Sequence, residues 1–390
     1  VHARTGTARA LTALLVAGLA ACTADTSGST AGPSSSSSAS SSASSSAPPP
    51  SCAEQTLADL PLDRRVGQLL MVGVPAGDPV AGAARLAGVP VGGLFLQGRS
   101  SAGAQSVGAA VAELQATAAV PLQIAVDQEG GLVQTLTGPG FDVVPSAVEQ
   151  GRQDPAALAA ATGTWAAQLR GAGITMDLGP VADTVPAGTE ADNPPIGAVD
   201  RQFGSDPGAV AAAVTAVVQG LQDSGVVATV KHFPGLGRVR VNTDTDLGAT
   251  DPETGPDDPY LQPFAAAVDA GVGAVMVSSA TYPQLDPDSP ALFSSAVLDL
   301  LRQQLGFDGV VISDDVGNAE AVAQTPVAQR AVDSVAAGVD VVLTVDPADA
   351  APMAAALADR ASADPAFADR VQESAGRVLA LKERFGLLTC

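Results

Sequence analysis

The sequence predicts a (β/α)8 barrel, on three observations. Eight short apolar runs recur along the chain, Ala-rich stretches with helical spacing lie between them, and titratable residues gather at the ends of the runs. The runs are Gln68–Val74, Val91–Gln97, Leu122–Asp127, Ile174–Pro180, Val226–His232, Ala274–Ser278, Val310–Asp314 and Val339–Val345. Each is short, rich in Leu or β-branched residues and bounded by Gly or polar residues, as a strand buried on both faces should be. The stretches Asp206–Ser224 and Ser294–Leu305 read as helices, since Ala is the strongest helix former. Eight strands alternating with helices suit a closed barrel. An open doubly wound sheet is the alternative; no dinucleotide-type glycine fingerprint follows the first run.

The front of the chain reads as address, not fold. Residues 1–10 carry Arg4 and Arg9, residues 11–21 are small and apolar, and the run ends Leu19-Ala20-Ala21-Cys22. That is the pattern of an export signal, too short to span a bilayer as a helix. Leu-Ala-Ala-Cys resembles the bacterial lipobox, which implies lipidation of Cys22 and a membrane lipoprotein on the outer face of the cytoplasmic membrane. An ordinary signal peptide with Cys22 incidental is the other reading. Residues 22–51 are dominated by Ser, Ala, Thr, Gly and Pro, a composition that reads as a flexible tether. Residues 52–390 are long enough for one large core and form the expected folded domain, although length alone would also allow two.

The formal charge is −22; without residues 1–21, which hold two Arg and no acid, it is −24. Phosphate backbones repel such a surface, so nucleic acid is not an expected partner. Aromatic residues make up only 3%, which argues against a polysaccharide-binding module of stacked rings. If Cys22 carries lipid, Cys52 and Cys390 remain, flanking the domain of an exported protein, and they are expected to form a disulfide. Two unpaired surface thiols are the alternative. No metal-ligand cluster or cofactor motif stands out; no metal, no cofactor and a monomer are expected.

Asp127 ends the third run, Asp177 and Asp183 flank the end of the fourth, Lys231 and His232 end the fifth, and Asp314 and Asp315 end the seventh. In a barrel these strand ends face one mouth, so the groups are expected to converge there. One such Asp would be an ordinary helix cap; four strands ending this way point to a site.

These landmarks resemble glycoside hydrolase family 3, and within it the single-domain NagZ-type β-N-acetylglucosaminidases. The resemblance runs over about residues 60–385. It rests on Val-Asp-Gln-Glu-Gly-Gly (126–131), Asp-Leu-Gly-Pro-Val-Ala-Asp (177–183), Asp-Arg-Gln-Phe-Gly (200–204), Lys-His-Phe-Pro-Gly (231–235) and Leu-Gly-Phe-Asp-Gly-Val-Val-Ile-Ser-Asp-Asp (305–315). It implies the same barrel, with Asp314 as nucleophile forming a covalent glycosyl-enzyme. It implies sugar binding by Asp127, Arg201, Lys231 and His232, with a buried structural role as the alternative for His232. Asp315 is then expected to cap a helix. The implied substrate is a carbohydrate carrying terminal GlcNAc, such as a peptidoglycan fragment.

The resemblance has gaps. The family loop runs Lys-His-Phe-Pro-Gly-His-Gly-Asp and then Asp-Ser-His, whose His is the general acid/base. Here Leu236 and Arg238 replace the first His and Asp, and Asn242-Thr243-Asp244 stands where the dyad belongs. The chain has only His2 and His232, so no loop His exists. Asp244 is the candidate acid/base, provided an apolar site near Asp314 raises its pKa, and Asp246 is the second candidate. Thr135 stands where the third motif continues with Arg. Arg238 and Arg240 either meet a substrate carboxylate or form a solvated pair balancing nearby acids. Three functions follow: an exported retaining β-N-acetylglucosaminidase, a glycosidase or phosphorylase of changed specificity, or a catalytically silent muropeptide-binding lipoprotein.

Overall fold

The computed structural model describes residues 49–390. The leader, Cys22 and most of the tether fall outside the described residues. Eight parallel strands close into a ring: β1 Leu70–Pro75, β2 Gly93–Gln97, β3 Gln123–Val126, β4 Met176–Asp177, β5 Val227–Phe233, β6 Ala274–Val277, β7 Val310–Asp315 and β8 Val341–Thr344. β1 pairs with both β2 and β8, which shuts the ring and excludes an open sheet. The predicted helix over 206–224 is Pro207–Asp223, with Asp206 capping its N-terminus through the Ala209 N–H.

Three details differ from the sequence reading. Gln68 ends the helix Leu62–Gln68, so the first strand starts two residues late. The fourth strand shrinks to two residues, with Gly179 and Pro180 following after Leu178, and Pro has no N–H for a ladder. The stretch 294–305 splits into an α-helix, Ser295–Asp299, and a π-helical turn, Leu300–Gln304.

Alternation along the strands makes two cores. One face fills the barrel with Met71, Phe95, Met176, Leu178, Met276, Ile312 and Leu343. The other packs Val72, Leu94, Ile124, Val230, Val275, Val311 and Val342 beneath the surrounding helices. The barrel is therefore a solid core, and only its C-terminal mouth has room for chemistry.

The opposite end is sealed by the last helix, Pro365–Arg384, whose Val378 and Leu381 join the interior cluster. Asp340, fully buried just before β8, takes Arg302 at 2.6 Å, Arg377 at 3.2 Å, Arg370, the Ser374 hydroxyl and the Val311 N–H. Three cations and two neutral donors satisfy this one buried carboxylate, so it ties β7, β8 and the helix together. Cys52 is joined to Cys390 with Cα atoms 5.6 Å apart, and Glu383 caps the first helix through the Cys52 and Ala53 N–H groups.

Lys382 is the unusual member of this end. Its ammonium is fully buried and reaches only neutral oxygens, Gln68 Oε1 at 2.7 Å and the Gly92 carbonyl at 2.9 Å. Burial pulls its pKa down from 10.5 to about 7. Between those values the unfolded chain holds a proton that the folded chain has lost, so stability rises with pH across that window. The effect is on the order of a few kcal/mol. Urea unfolding of Lys382→Met from pH 6.5 to 10 is expected to lose most of this slope; an unchanged slope would place its origin elsewhere.

Candidate active site

The mouth holds a cavity of about 370 Å³. Its floor is the top layer of the barrel core, with Phe95, Leu178, Met276 and Leu343. Its polar wall includes Asp127, Arg201, Lys231, His232, Asp244, Asp314 and Asp315, from the ends of β3, β5 and β7 and the loops after β4 and β5.

After β3 the chain turns back as a short hairpin, Gln128–Gly130 with Val133–Gln134, which the sequence reading missed. The Gln128 side chain bridges both backbone groups of Leu136, and the Gln128 N–H donates to Asp177. Gly130 adopts φ +99°, and a Cβ there would lie 2.1 Å from the Pro145 carbonyl. The hairpin is thus fixed by contacts that tolerate no side chain at its turn.

It delivers Glu129, a residue to which the sequence reading gave no role. Glu129 Oε1 sits 2.6 Å from Lys231 Nζ and 2.7 Å from Arg201, whose Nε donates to Oε2 at 2.8 Å. Lys231 also binds Asp127 at 2.6 Å. Burial alone would push Glu129 up, but Arg201 and Lys231 hold it well below the usual carboxylate range. Burial likewise opposes the charge on Lys231, and Asp127 and Glu129 override it, raising Lys231 to about 12. Two cations and two carboxylates form one neutral, mostly buried set. The spacing of Asp127 and Glu129, two residues apart at a strand end, was the available signal for a shared face.

Lys231 and His232 are consecutive, yet both line the cavity. A register shift between Val230 and Phe233 against β6 allows it, as bulges re-aim side chains. Behind His232 lies Asp183, fully buried. Its Oδ2 is 2.6 Å from His232 Nδ1, and its Oδ1 accepts from the His232 and Leu236 N–H groups at 3.2 and 2.7 Å. Asp183 therefore stands behind the cavity wall, not in it.

Asp314 lines the cavity beside these groups. Burial raises its pKa to about 6, with His232 acting in favour of the ionised form and Asp244 against it. Asp315 does not cap a helix as expected. It accepts from Gly317, Asn318 and Val345 N–H groups, pinning the turn after β7 to β8.

The loop 235–248 has two unlike halves. Leu236 is buried, and Asn193 donates to the Leu236 and Val239 carbonyls at 2.8 and 2.7 Å. Gly237 passes so close to Thr184 that a Cβ would lie 1.9 Å from its carbonyl. Arg238 is not a solvated residue, nor does it reach the cavity. It bonds Asp258 and Thr254 and lies 3.9 Å over the Tyr260 ring. Arg240 is exposed, 3.5 Å from Asp192. The outer half is exposed at Asp244, Thr245 and Asp246, held by an Asn242 side-chain turn and by Glu320 and Ala321 N–H bonds to the Asp244 and Thr243 carbonyls. Asp244 lines the cavity; Asp246 accepts from the Thr245 hydroxyl and is not among the lining residues. The apolar enclosure expected around Asp244 is not there, because its loop lies open to solvent.

Other expected members lie elsewhere. Asp177 lines a separate cavity of about 30 Å³ with Thr162 and Trp165, and burial raises its pKa to about 7. Thr135 is buried in the hairpin, bonded to the Asp127 carbonyl. Tyr282 is buried and donates to the Gly235 carbonyl, and neither it nor Ser279 lines the cavity.

Glu129→Gln removes one charge from a buried four-membered set. Breaking such pairs costs about 3–5 kcal/mol, which denaturant titration at neutral pH would read. Because its folded pKa is depressed, the Glu129 contribution is present above the ordinary carboxylate pKa and is lost as pH falls. The Gln variant is expected to lose that acid-side dependence; a variant as stable as wild type would remove Glu129 as the organising charge.

Comparison with known proteins agrees with this geometry. Residues 61–381 match the glycosyl hydrolase family 3 N-terminal domain. A β-hexosaminidase of Xanthomonas axonopodis pv. citri is 38% identical over 268 residues, covering 66% of this chain and 77% of its own. The crystal structure of a β-N-acetylhexosaminidase from Beutenbergia cavernae shares 49% identity with a TM-score of 0.81, over 84% of this chain and 99% of that one. A family 3 β-N-acetylglucosaminidase from Paenibacillus shares 34% identity with a TM-score of 0.76, over 85% of this chain and 64% of that one. With the barrel, the strand-end carboxylates and the matched family domain in agreement, the chain belongs to glycoside hydrolase family 3.

Proposed function

We propose that this protein is an exported, retaining β-N-acetylglucosaminidase that removes terminal GlcNAc from peptidoglycan fragments. The observation that carries the reading is Asp314, set at the end of β7 in the same cavity as Asp127, Arg201, Lys231 and His232. Asp314 attacks the anomeric carbon as the glycosidic C–O bond breaks and the aglycone leaves with a proton; a water, giving up a proton, then displaces Asp314 from that carbon and releases the sugar. Asp127, Arg201, Lys231 and His232 bind the sugar hydroxyls and the acetamide. The named activities of the Xanthomonas, Beutenbergia and Paenibacillus relatives support the sugar.

Asp244 is the carboxylate of loop 235–248 that lines the cavity, and it takes the part of acid and base. Its open position favours a second reading, in which the barrel binds muropeptides without cleaving them. A phosphorylase is less well supported. Both cations lining the cavity are already matched: Lys231 by Asp127 and Glu129, and Arg201 by Glu129. Export rests on the sequence of residues 1–21, and anchoring on Cys22. Cell fractionation of Cys22→Ser is expected to move the protein off the membrane; an unchanged membrane fraction would discard the lipid anchor.

Hydrolysis of an aryl β-GlcNAc and of a GlcNAc-terminated disaccharide tests the chemistry. Asp314→Asn is expected to lower kcat by at least about 10³-fold on both. Asp244→Asn should spare the aryl substrate and lose the disaccharide. Because Asp314 must be ionised and its pKa is near 6, kcat/KM should fall below about pH 6. No turnover of either substrate by the wild type, with retained binding, would move the protein to the binding reading.

A further inference from the structure

His232 shows one ring nitrogen to the protein and leaves one for the cavity. Nδ1 is bound to Asp183 Oδ2 at 2.6 Å, and Nε2 makes no hydrogen bond among the described residues, although the ring lines the cavity. A carboxylate can only accept, so the Asp183 partnership puts the Nδ1 proton between them and turns the Nε2 edge toward substrate. Nothing else contests that arrangement. Asp183 Oδ1 is taken by the His232 and Leu236 N–H groups, so the carboxylate cannot rotate without losing two backbone bonds. The same group therefore fixes the imidazole and Leu236 of the locked half-loop.

We propose that Asp183 is a positioning residue of this site: it fixes the tautomer and ring orientation of His232, so that Nε2 faces the sugar beside Asp314. Asp183 touches no substrate; it acts through His232. For its effect on rate the inference rests on the glycosidase reading above, whereas the tautomer itself does not depend on that reading.

The carboxamide of Asp183→Asn tests the assignment. Its oxygen must stay with the two backbone N–H groups, which puts the amide nitrogen opposite His232 Nδ1. An amide N–H donates, so the ring proton is driven to Nε2. An Asp-to-Asn exchange behind a catalytic histidine acts this way in serine proteases. The full chain has two histidines, His2 and His232, so imidazole ¹⁵N NMR with a His2→Gln control assigns His232 without ambiguity.

Wild type is expected to show an Nδ1–H tautomer, and Asp183→Asn an Nε2–H tautomer with kcat/KM lowered about tenfold or more. An Nε2–H tautomer in wild type would overturn the assignment, and that measurement needs no variant to fold. A flipped tautomer with unchanged kcat/KM would overturn its part in the reaction. A wild type that hydrolyses nothing yet shows Nδ1–H would sink the glycosidase reading and leave the positioning geometry standing.

Discussion

The site depends on one buried carboxylate. Lys231 and Arg201 both sit largely buried beside the mouth, and two cations side by side in such a place repel each other. Glu129 lies between them, within 2.7 Å of each. It neutralises the pair and sets their spacing in one contact, which buried ions require if their desolvation is to be offset. Asp127 then completes the charge balance from the strand end. Much of the hairpin after β3, with Gln128 clasping Leu136 and Gly130 pressed on Pro145, serves to bring Glu129 to that point.

The loop after β5 explains how the chain departs from its family without losing the barrel. Asp183, Asn193, Tyr282 and the Arg238–Asp258 pair fix its inner half. Leu236 and Arg238, which replace family polar residues, are absorbed there as a buried apolar contact and a structural clamp. The outer half carries Asp244 and is held by a side-chain turn and two backbone bonds to 320–321. The two halves therefore differ: the inner one is packed, while the outer one, which holds Asp244 and no histidine, is open.

The barrel was legible because its signals are local. Eight apolar runs and the Asp-capped Ala-rich helix need only neighbours in sequence to be read. Asp127, Arg201, Lys231, His232 and Asp314 were legible for a different reason, since all end strands or sit in family motifs. What escaped is what depends on pairing across the chain. Glu129 is defined by partners 72 and more residues away, and Asn193 bonds Leu236 from 43 residues away. Arg238 looked solvent-bound because Asp258 and Tyr260 come after an unreadable turn. Asp177 and Asp183 were placed correctly in sequence but not in direction: one faces a small wall cavity, and the other stands behind His232.

The sealed end of the barrel gives the molecule a polarity. Cys52 and Cys390 meet beside the last helix, at the pole away from the cavity. Both ends of the folded domain therefore leave from one place, and the mouth opens from the other. A bead, a surface or a fused domain attached before Cys52 or after Cys390 would face the blind pole and leave the approach to the cavity clear. The covalent link also passes a pull on either end into the last helix before it reaches any strand. The scaffold is thus suited to immobilisation by its termini, with its working face outward.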